Sequence, residues 1–408
     1  MISKNPNFWI VVDHPQQLLR AIIISRILRK SHIRGKMTLL VSKHEYWRNV
    51  EFKKYEKYFS RTIWYERIDF SPPTIPFIKQ IIISGLLFFQ LIILKIKVRK
   101  LGINKKDIII GLSASQLLEN VVISSFPGCR KISVVQEAAI KEEKICKRLL
   151  KNGKLVYTIN GFLFKIYCPI LKLRKTYHLL KRGTKNVYDG AVFQIYEKGF
   201  KNEYNKILIM LNITSQLPYT NIGQTSLRNT YFPYFQMTTK RKKNKIIFFG
   251  MPYISGMCVN RMFYIKKMNQ YLDFLRRIYG KNYKLEYRPH PQDMNDFEDL
   301  NLSRFTVARD RTIAELYLLE ESSKIKAVYS VCSTSSRSAL NFQINSYVYP
   351  KLFPLKNDAK EYYNDLFGSV PGDFVLDNLK IKPKSIVFRS VNSSKSLFFM
   401  RDLDWAIS

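Results

Sequence analysis

His290 stands between two prolines, in Arg288-Pro289-His290-Pro291. Each proline fixes its own φ and biases the residue before it toward an extended shape, so this histidine has little conformational freedom. The stretch 284–293 reads as a short strand carrying Leu285 and Tyr287 that runs into the histidine, with Arg288 two residues earlier. A stiffened imidazole beside an arginine suits the grip of an anionic group in one orientation; a strand-to-loop junction with an incidental histidine fits the same residues. A second cluster is Ser333-Thr334-Ser335-Ser336, expected between a strand at 326–331 and a helix starting at 337–342. Hydroxyls and backbone N–H groups at the positive end of a helix dipole bind phosphate, although one serine suffices for an ordinary cap. The third candidate is Glu137, just past an expected strand at 131–135. Open α/β sheets gather functional groups beyond the carboxyl ends of their strands, and a carboxylate there is a candidate general base. A solvated loop glutamate is the alternative. Asp402 and Asp404 form the clearest acidic pair of metal-binding type, but at the chain's end they read as a surface feature.

These residues need elements to position them, and the hydrophobic pattern supplies strands alternating with helices. The run 8–13 (FWIVVD) reads as a buried strand, followed by a helix over 16–30 with Leu18, Leu19, Ile22, Ile23, Ile27 and Leu28 at helical spacing. Strands follow at 37–41, 62–68, 107–112 and 131–135, with a serine-capped helix at 113–125. A second series opens with a strand at 245–250 ending in Gly250, then an amphipathic helix over 263–279, a helix at 312–321, and strands at 326–331 and 346–350. Such alternation implies βαβ units and parallel sheets. The segment 214–244 shows no apolar period and carries the run Lys240-Arg241-Lys242-Lys243, so domains 1–240 and 241–408 are expected. The most apolar segment, 81–94, falls short of the roughly 20 residues that span a bilayer. It reads as a helix buried on most sides, the alternative being a segment that dips into a membrane surface with Lys95–Lys100 reaching head groups.

With 408 residues, 46% of them hydrophobic, the chain is long enough for two cores and too apolar for disorder. Five scattered cysteines without a CxxC pair are neither a disulfide framework nor a zinc site and fit a reducing cytoplasm. The N-terminus lacks the apolar core of a signal peptide. Lys and Arg outnumber Asp and Glu 68 to 31, a formal net charge of +37 that predicts anionic surroundings. The stretch 141–185, dense in Lys and Arg among aromatics, reads as a solvated basic face or a docking surface for an acidic partner.

The order of these parts resembles the bacterial sialyltransferases and polysialyltransferases of GT-B fold. Their opening strand and Pro-Leu-Gln-Leu-Leu-type segment is matched by Asp13-His14-Pro15-Gln16-Gln17-Leu18-Leu19, and the strand-Gly-x-Pro start of their second domain by Phe249-Gly250-Met251-Pro252. Their His-Pro motif is matched by Arg288-Pro289-His290-Pro291, and their Ser-Ser or Ser-Thr motif by Ser333-Thr334 or Ser335-Ser336. Where the family carries an acidic pair and a glycine, this chain has only Gln136-Glu137-Ala138, a departure that touches the base itself.

The resemblance implies an α/β protein of GT-B fold, two Rossmann-like domains with parallel sheets facing a central cleft, the first for the acceptor and the second for the nucleotide sugar. The last helix is expected to return to the first domain. It implies metal-independent, inverting transfer of a sugar, in the family sialic acid from CMP-sialic acid, onto a capsule or lipooligosaccharide glycan. Glu137 would be the base and His290 the group at the leaving phosphate. Gly250, Arg288, Pro291, Ser333, Thr334, Ser335 and Ser336 would bind the donor, and Asp13, His14 and Gln16 would line the acceptor side. No cofactor beyond the donor is expected. The expected partners are an anionic glycan or lipid-linked acceptor and the cytoplasmic membrane surface, with the protein peripheral at its inner face, and not nucleic acid. Two alternatives stay open: a GT-B transferase using CMP-Kdo, a UDP-sugar or CDP-glycerol, and a non-enzymatic basic protein that binds nucleic acid or membrane.

Overall fold

A computed structural model describes residues 6–30, 35–43, 47, 50, 52–68, 77–112, 117–136, 170, 190–194, 243–251, 260–290, 297–309, 312–353 and 372–386. They divide into two compact units. Each is built on one parallel sheet, the two-domain α/β class that the strand–helix alternation predicts.

The first unit contains β1 (Phe8–Val12), α1 (Leu18–Lys30), β2 (Met37–Lys43), β3 (Arg61–Glu66), α2 (Phe77–Arg99), β4 (Ile108–Gly111), α3 (Leu117–Ser125), β5 (Arg130–Gln136) and β6 (Gly190–Gln194). Its sheet runs β3-β2-β1-β4-β5-β6, the doubly wound order in which the chain returns to the centre and then builds the other way. Every residue of β1 is buried, as a central parallel strand covered on both faces requires. Asp107, just before β4, accepts hydrogen bonds from the Trp9 indole N–H at 3.1 Å and the Asn7 amide at 3.2 Å, which pins the two central strands at their amino ends.

The second unit contains β7 (Lys245–Phe249), α4 (Arg261–Tyr279), β8 (Lys284–Arg288), β9 (Phe305–Val307), α5 (Ala314–Glu321), β10 (Ile325–Ser330), α6 (Thr334–Asn341) and β11 (Asn345–Val348), with the parallel order β11-β10-β7-β8-β9. Helix α4 starts where Asn260 accepts the Phe263 N–H at 2.7 Å, and it carries Arg276 and Arg277 in its last turn, where the dipole favours cations. Its inner face buries Tyr264, Met268, Tyr271, Leu272 and Leu275 against Phe248, Tyr287 and Tyr329 of the sheet. Several tyrosines of this core have partnered hydroxyls: Tyr279 and Tyr329 share a hydrogen bond of 2.6 Å, and Tyr271 donates to the Ser330 carbonyl at 3.2 Å. A buried Tyr keeps its aromatic contacts only if that hydroxyl is satisfied.

Three expectations need correction. Helix α6 starts at Thr334, not at 337, so three of the four hydroxyl residues lie in its first turn. The apolar segment is a 23-residue helix with an exposed side, and is not buried on most sides. Strand β9 and strand β6 were not expected at all, being short or weakly patterned. Glu137, Pro291, Asp402, Asp404, the boundary at 240–241, the 141–185 stretch except Ile170, and the terminal segment expected to return to the first domain lie outside the described residues.

Candidate active site

Strand register brings the second unit's motifs to one line. Ser330 of β10 pairs with Phe249 of β7, and Phe249 pairs with Arg288 of β8. The last residues of three adjacent strands thus form a row about 10 Å wide, two strand spacings. Just past this row lie Ser333, Gly250 and His290. Between β7 and β10 the strand order reverses, and ligands of open α/β sheets bind at such switch points. The two loops touch there, since the Cys332 thiol reaches the Met251 sulfur at 3.4 Å.

Each loop is held from below. Gly250 donates its N–H to the Arg288 carbonyl at 2.8 Å, and a Cβ at Gly250 would lie 2.5 Å from the Tyr287 hydroxyl. Only glycine lets β7 end that close to β8. Tyr264 donates to the Met251 carbonyl, so α4 anchors the loop after β7 as well as the end of β10.

The serine cluster does two jobs. Ser330 and Ser336 are fully buried and share a hydrogen bond of 2.7 Å, and the Ser330 hydroxyl also accepts the Ser333 N–H at 3.0 Å. This latch fixes the turn from β10 into α6. Ser333 caps the helix by accepting the Ser335 N–H at 3.2 Å. Thr334 and Ser335, half-buried in the first turn, lie at the rim where a phosphate would meet the helix N-terminus. Ser330, the centre of the latch, is not legible in the sequence because it reads as one more residue of the strand expected at 326–331.

Arg288 is placed differently from the sequence expectation. Its guanidinium is buried, donates to Glu286 at 2.9 Å and lies 3.7 Å over the Tyr317 ring. Glu286 also takes Lys245 at 3.0 Å, and Lys245 donates further to the Tyr317 hydroxyl at 2.7 Å and to Glu321 at 3.4 Å. Positions 286 and 288 share one face of β8, so the arginine's charge is engaged in this network. His290 is half-buried, and burial lowers its pKa, which leaves a neutral imidazole at neutral pH.

The first unit has its own switch point, between β1 and β4. Asp13 follows β1; its N–H and that of His14 donate to the Gln17 side-chain oxygen at 2.7 and 3.3 Å. Arg20 of α1 donates to the Leu112 carbonyl at 3.2 Å, just past β4. Asp13 is buried with its Oδ2 lacking a hydrogen-bond partner among the described residues. Burial, then repulsion from Glu119, raises its pKa to about 8, against the pull of the Glu119 and Leu118 backbone N–H groups of α3. Glu119 is itself buried, its carboxylate packed so closely on Gly111 that a Cβ there would sit 2.2 Å from Oε1. Glu119 is the second carboxyl that sequence reading missed, lying inside an apolar helix. His14 is half-buried beside Asp13, and Gln16 lies in the short 3-10 turn Pro15–Gln17. Among the described residues no three His, Cys, Asp or Glu side chains gather as a metal site requires.

No family model matches the sequence, and no curated protein matches it. Among solved structures, the chain is similar to the α/β-galactoside α-2,3-sialyltransferase of Photobacterium phosphoreum, at 11% identity and TM-score 0.47 over 91% of this chain and 98% of that one. It is similar to the GT-B domain of the Photobacterium damselae sialyltransferase, at 10% identity and TM-score 0.49 over 90% and 99%. It is likewise similar to TcCGT1 in complex with UDP, at 12% identity and TM-score 0.49 over 99% and 92%.

Proposed function

We propose that this chain is a GT-B glycosyltransferase that moves a sugar, sialic acid from CMP-sialic acid, onto a hydroxyl of a surface glycan. One observation carries the reading. The row Ser330–Phe249–Arg288 sets the serine turn, Gly250 and His290 together at the switch point of a parallel sheet. This is where a nucleotide phosphate finds a helix N-terminus and a preorganised donor.

In the proposed reaction the acceptor oxygen forms a bond to the anomeric carbon as the bond from that carbon to the phosphate oxygen of CMP breaks. The acceptor's proton goes to a carboxylate and negative charge grows on the phosphate. The bound phosphate favours uptake of a proton from solvent by His290, and the imidazolium then donates a hydrogen bond to the phosphate and can give it that proton as charge grows there. The hydroxyls of Thr334 and Ser335 and the Thr334 N–H stabilise the same charge without reorganising. Glu137 holds the base role by its position in the motif. Asp13, whose pKa burial and Glu119 push up to about 8, is mostly protonated at neutral pH in the resting protein. No metal takes part in this reading, and the protein works at the inner face of the cell membrane on an anionic or lipid-linked acceptor.

The test is calorimetry of the full chain with CMP, CDP, UMP and UDP, together with transfer from CMP-sialic acid, CMP-Kdo and UDP-sugars. CMP binding that weakens on His290→Ala, with transfer from CMP-sialic acid, is expected. Preference for UDP and UDP-sugars would move the donor to another class. Absence of nucleotide binding, with steeply salt-dependent DNA binding, would replace the transferase by a basic binding protein.

A further inference from the structure

Helix α2 buries one side and leaves the other uncovered among the described residues. Leu87, Leu91, Leu94 and Val98 are buried in the first unit, and α2 packs on α3. On the opposite side Ile82, Leu86, Phe89, Ile93 and Ile96 are between 50% and 63% exposed. Their spacing of four and three residues lines them in one stripe, about 21 Å long at 1.5 Å per residue. Phe88 packs edge-on to Phe89 at 6.2 Å between centroids and, with Ile92, widens the apolar band. Large aliphatic and aromatic side chains in such a band are what monomeric surfaces avoid.

Charge identifies the occupant. Between Asp69 and Asp107 the chain has no acidic residue and seven Lys or Arg. The exposed ones, Lys97, Arg99, Lys100, Lys105 and Lys106, collect at and just beyond the helix's carboxyl end. We propose that α2 docks the first unit onto an anionic lipid bilayer, lying in the plane of the interface with its Ile82–Ile96 stripe among the acyl chains and these cations on the head groups. Two features argue for lipid over a second copy of the chain. One flank of the stripe, carrying Phe88 and Ile92, is apolar, whereas a helix pair in water borders both sides of its seam with charged residues. And each copy carries a formal +37, so two copies repel where an anionic bilayer attracts. The helix does not cross the bilayer, because its other side is committed to the protein core; among the described residues no helix is long and apolar enough to cross a membrane. The proposal deepens the membrane-face part of the proposed function and uses no residue of the transfer site, so vesicle binding and nucleotide binding can fail independently.

The experiment is co-sedimentation of the full chain with phosphatidylcholine vesicles, with and without phosphatidylglycerol, at low and high salt. Three proteins are compared: wild type, Phe89→Glu/Ile93→Glu, and Lys97→Gln/Lys100→Gln. All exchanged side chains are exposed, and matching thermal melts confirm that each variant is folded. The wild type is expected to bind phosphatidylglycerol vesicles far more tightly than phosphatidylcholine alone. The stripe variant should lose roughly tenfold or more in partitioning, since each glutamate removes the burial of one large apolar side chain. The lysine variant should keep part of its binding and show a shallower salt dependence. Undiminished binding of the stripe variant overturns the proposal, because the charge then acts without the helix. A wild type that is dimeric by light scattering, becomes monomeric on Phe89→Glu/Ile93→Glu and ignores vesicles also overturns it, and assigns the stripe to a second copy. Retention that only detergent releases overturns the in-plane geometry.

Discussion

Asp13→Asn tests the buried carboxyl pair of the first unit directly. In the folded protein the pKa of Asp13 stands at about 8 against 3.8 for an exposed aspartate, through burial first and Glu119 second. A carboxyl whose folded pKa is raised favours folding while it is protonated. Its contribution is complete below the unfolded pKa and is lost progressively as pH rises from about 4 to about 8. Each pH unit in that window costs about 1.36 kcal/mol, so between pH 5 and 7.5 this group alone removes about 3 kcal/mol. That is a large share of the 5–15 kcal/mol of a typical domain. The proton belongs to the pair as well as to Asp13, so part of the change will be taken up by Glu119. Asparagine has the same shape, accepts from the α3 backbone through its carbonyl, and cannot ionise. The assay is urea unfolding of both proteins between pH 5 and 8. The variant should gain on the wild type steadily with pH, by on the order of 2–3 kcal/mol across the range. A difference between the two that stays flat from pH 5 to 8 would refute the reasoning, and would mean that Asp13 is ionised and paired in the folded chain.

His290→Ala should lower turnover by about two orders of magnitude with an unchanged melting temperature, as loss of one preorganised donor does. Since burial keeps the free imidazole neutral and a bound phosphate would favour its protonation, CMP affinity should rise as pH falls from 8 toward 5.5 in the wild type, and His290→Gln should abolish that slope in calorimetry. Ser330→Ala removes one partner of the buried Ser336 hydroxyl and of the Ser333 N–H, and is expected to cost about 1–3 kcal/mol in urea unfolding and to weaken CMP binding as the turn loosens. Gly250→Ala drives a methyl into the Tyr287 hydroxyl and should destabilise by about 1–3 kcal/mol, visible as a lower midpoint with an unchanged denaturant slope.

The architecture was legible because its signals are local. A run such as Phe8–Val12, five residues long, apolar on both faces and rich in β-branched and aromatic side chains, reads as a covered central strand, and the 3.6-residue rhythm from Tyr264 to Tyr279 reads as a helix on a core. The Pro-His-Pro segment and the serines past β10 were readable as candidates because proline and hydroxyl chemistry act on neighbours in the chain. Partnership was not readable. Whether Arg288 faces an anion or is spent on Glu286 and Tyr317 depends on which face of β8 meets α5. That Ser330 is a latch and not one more strand residue depends on the turn that brings Ser336 back to it. The pairing of Asp13 with Glu119 is further still from the sequence. An aspartate ending one strand and a glutamate inside an apolar helix meet only because β1 and β4 are neighbours in the sheet. Residue type and spacing thus determined the elements and the groups they carry. Which groups are buried, paired or shifted in pKa was decided by tertiary structure, because desolvation and Coulomb interaction depend on distance in space and not on separation along the chain.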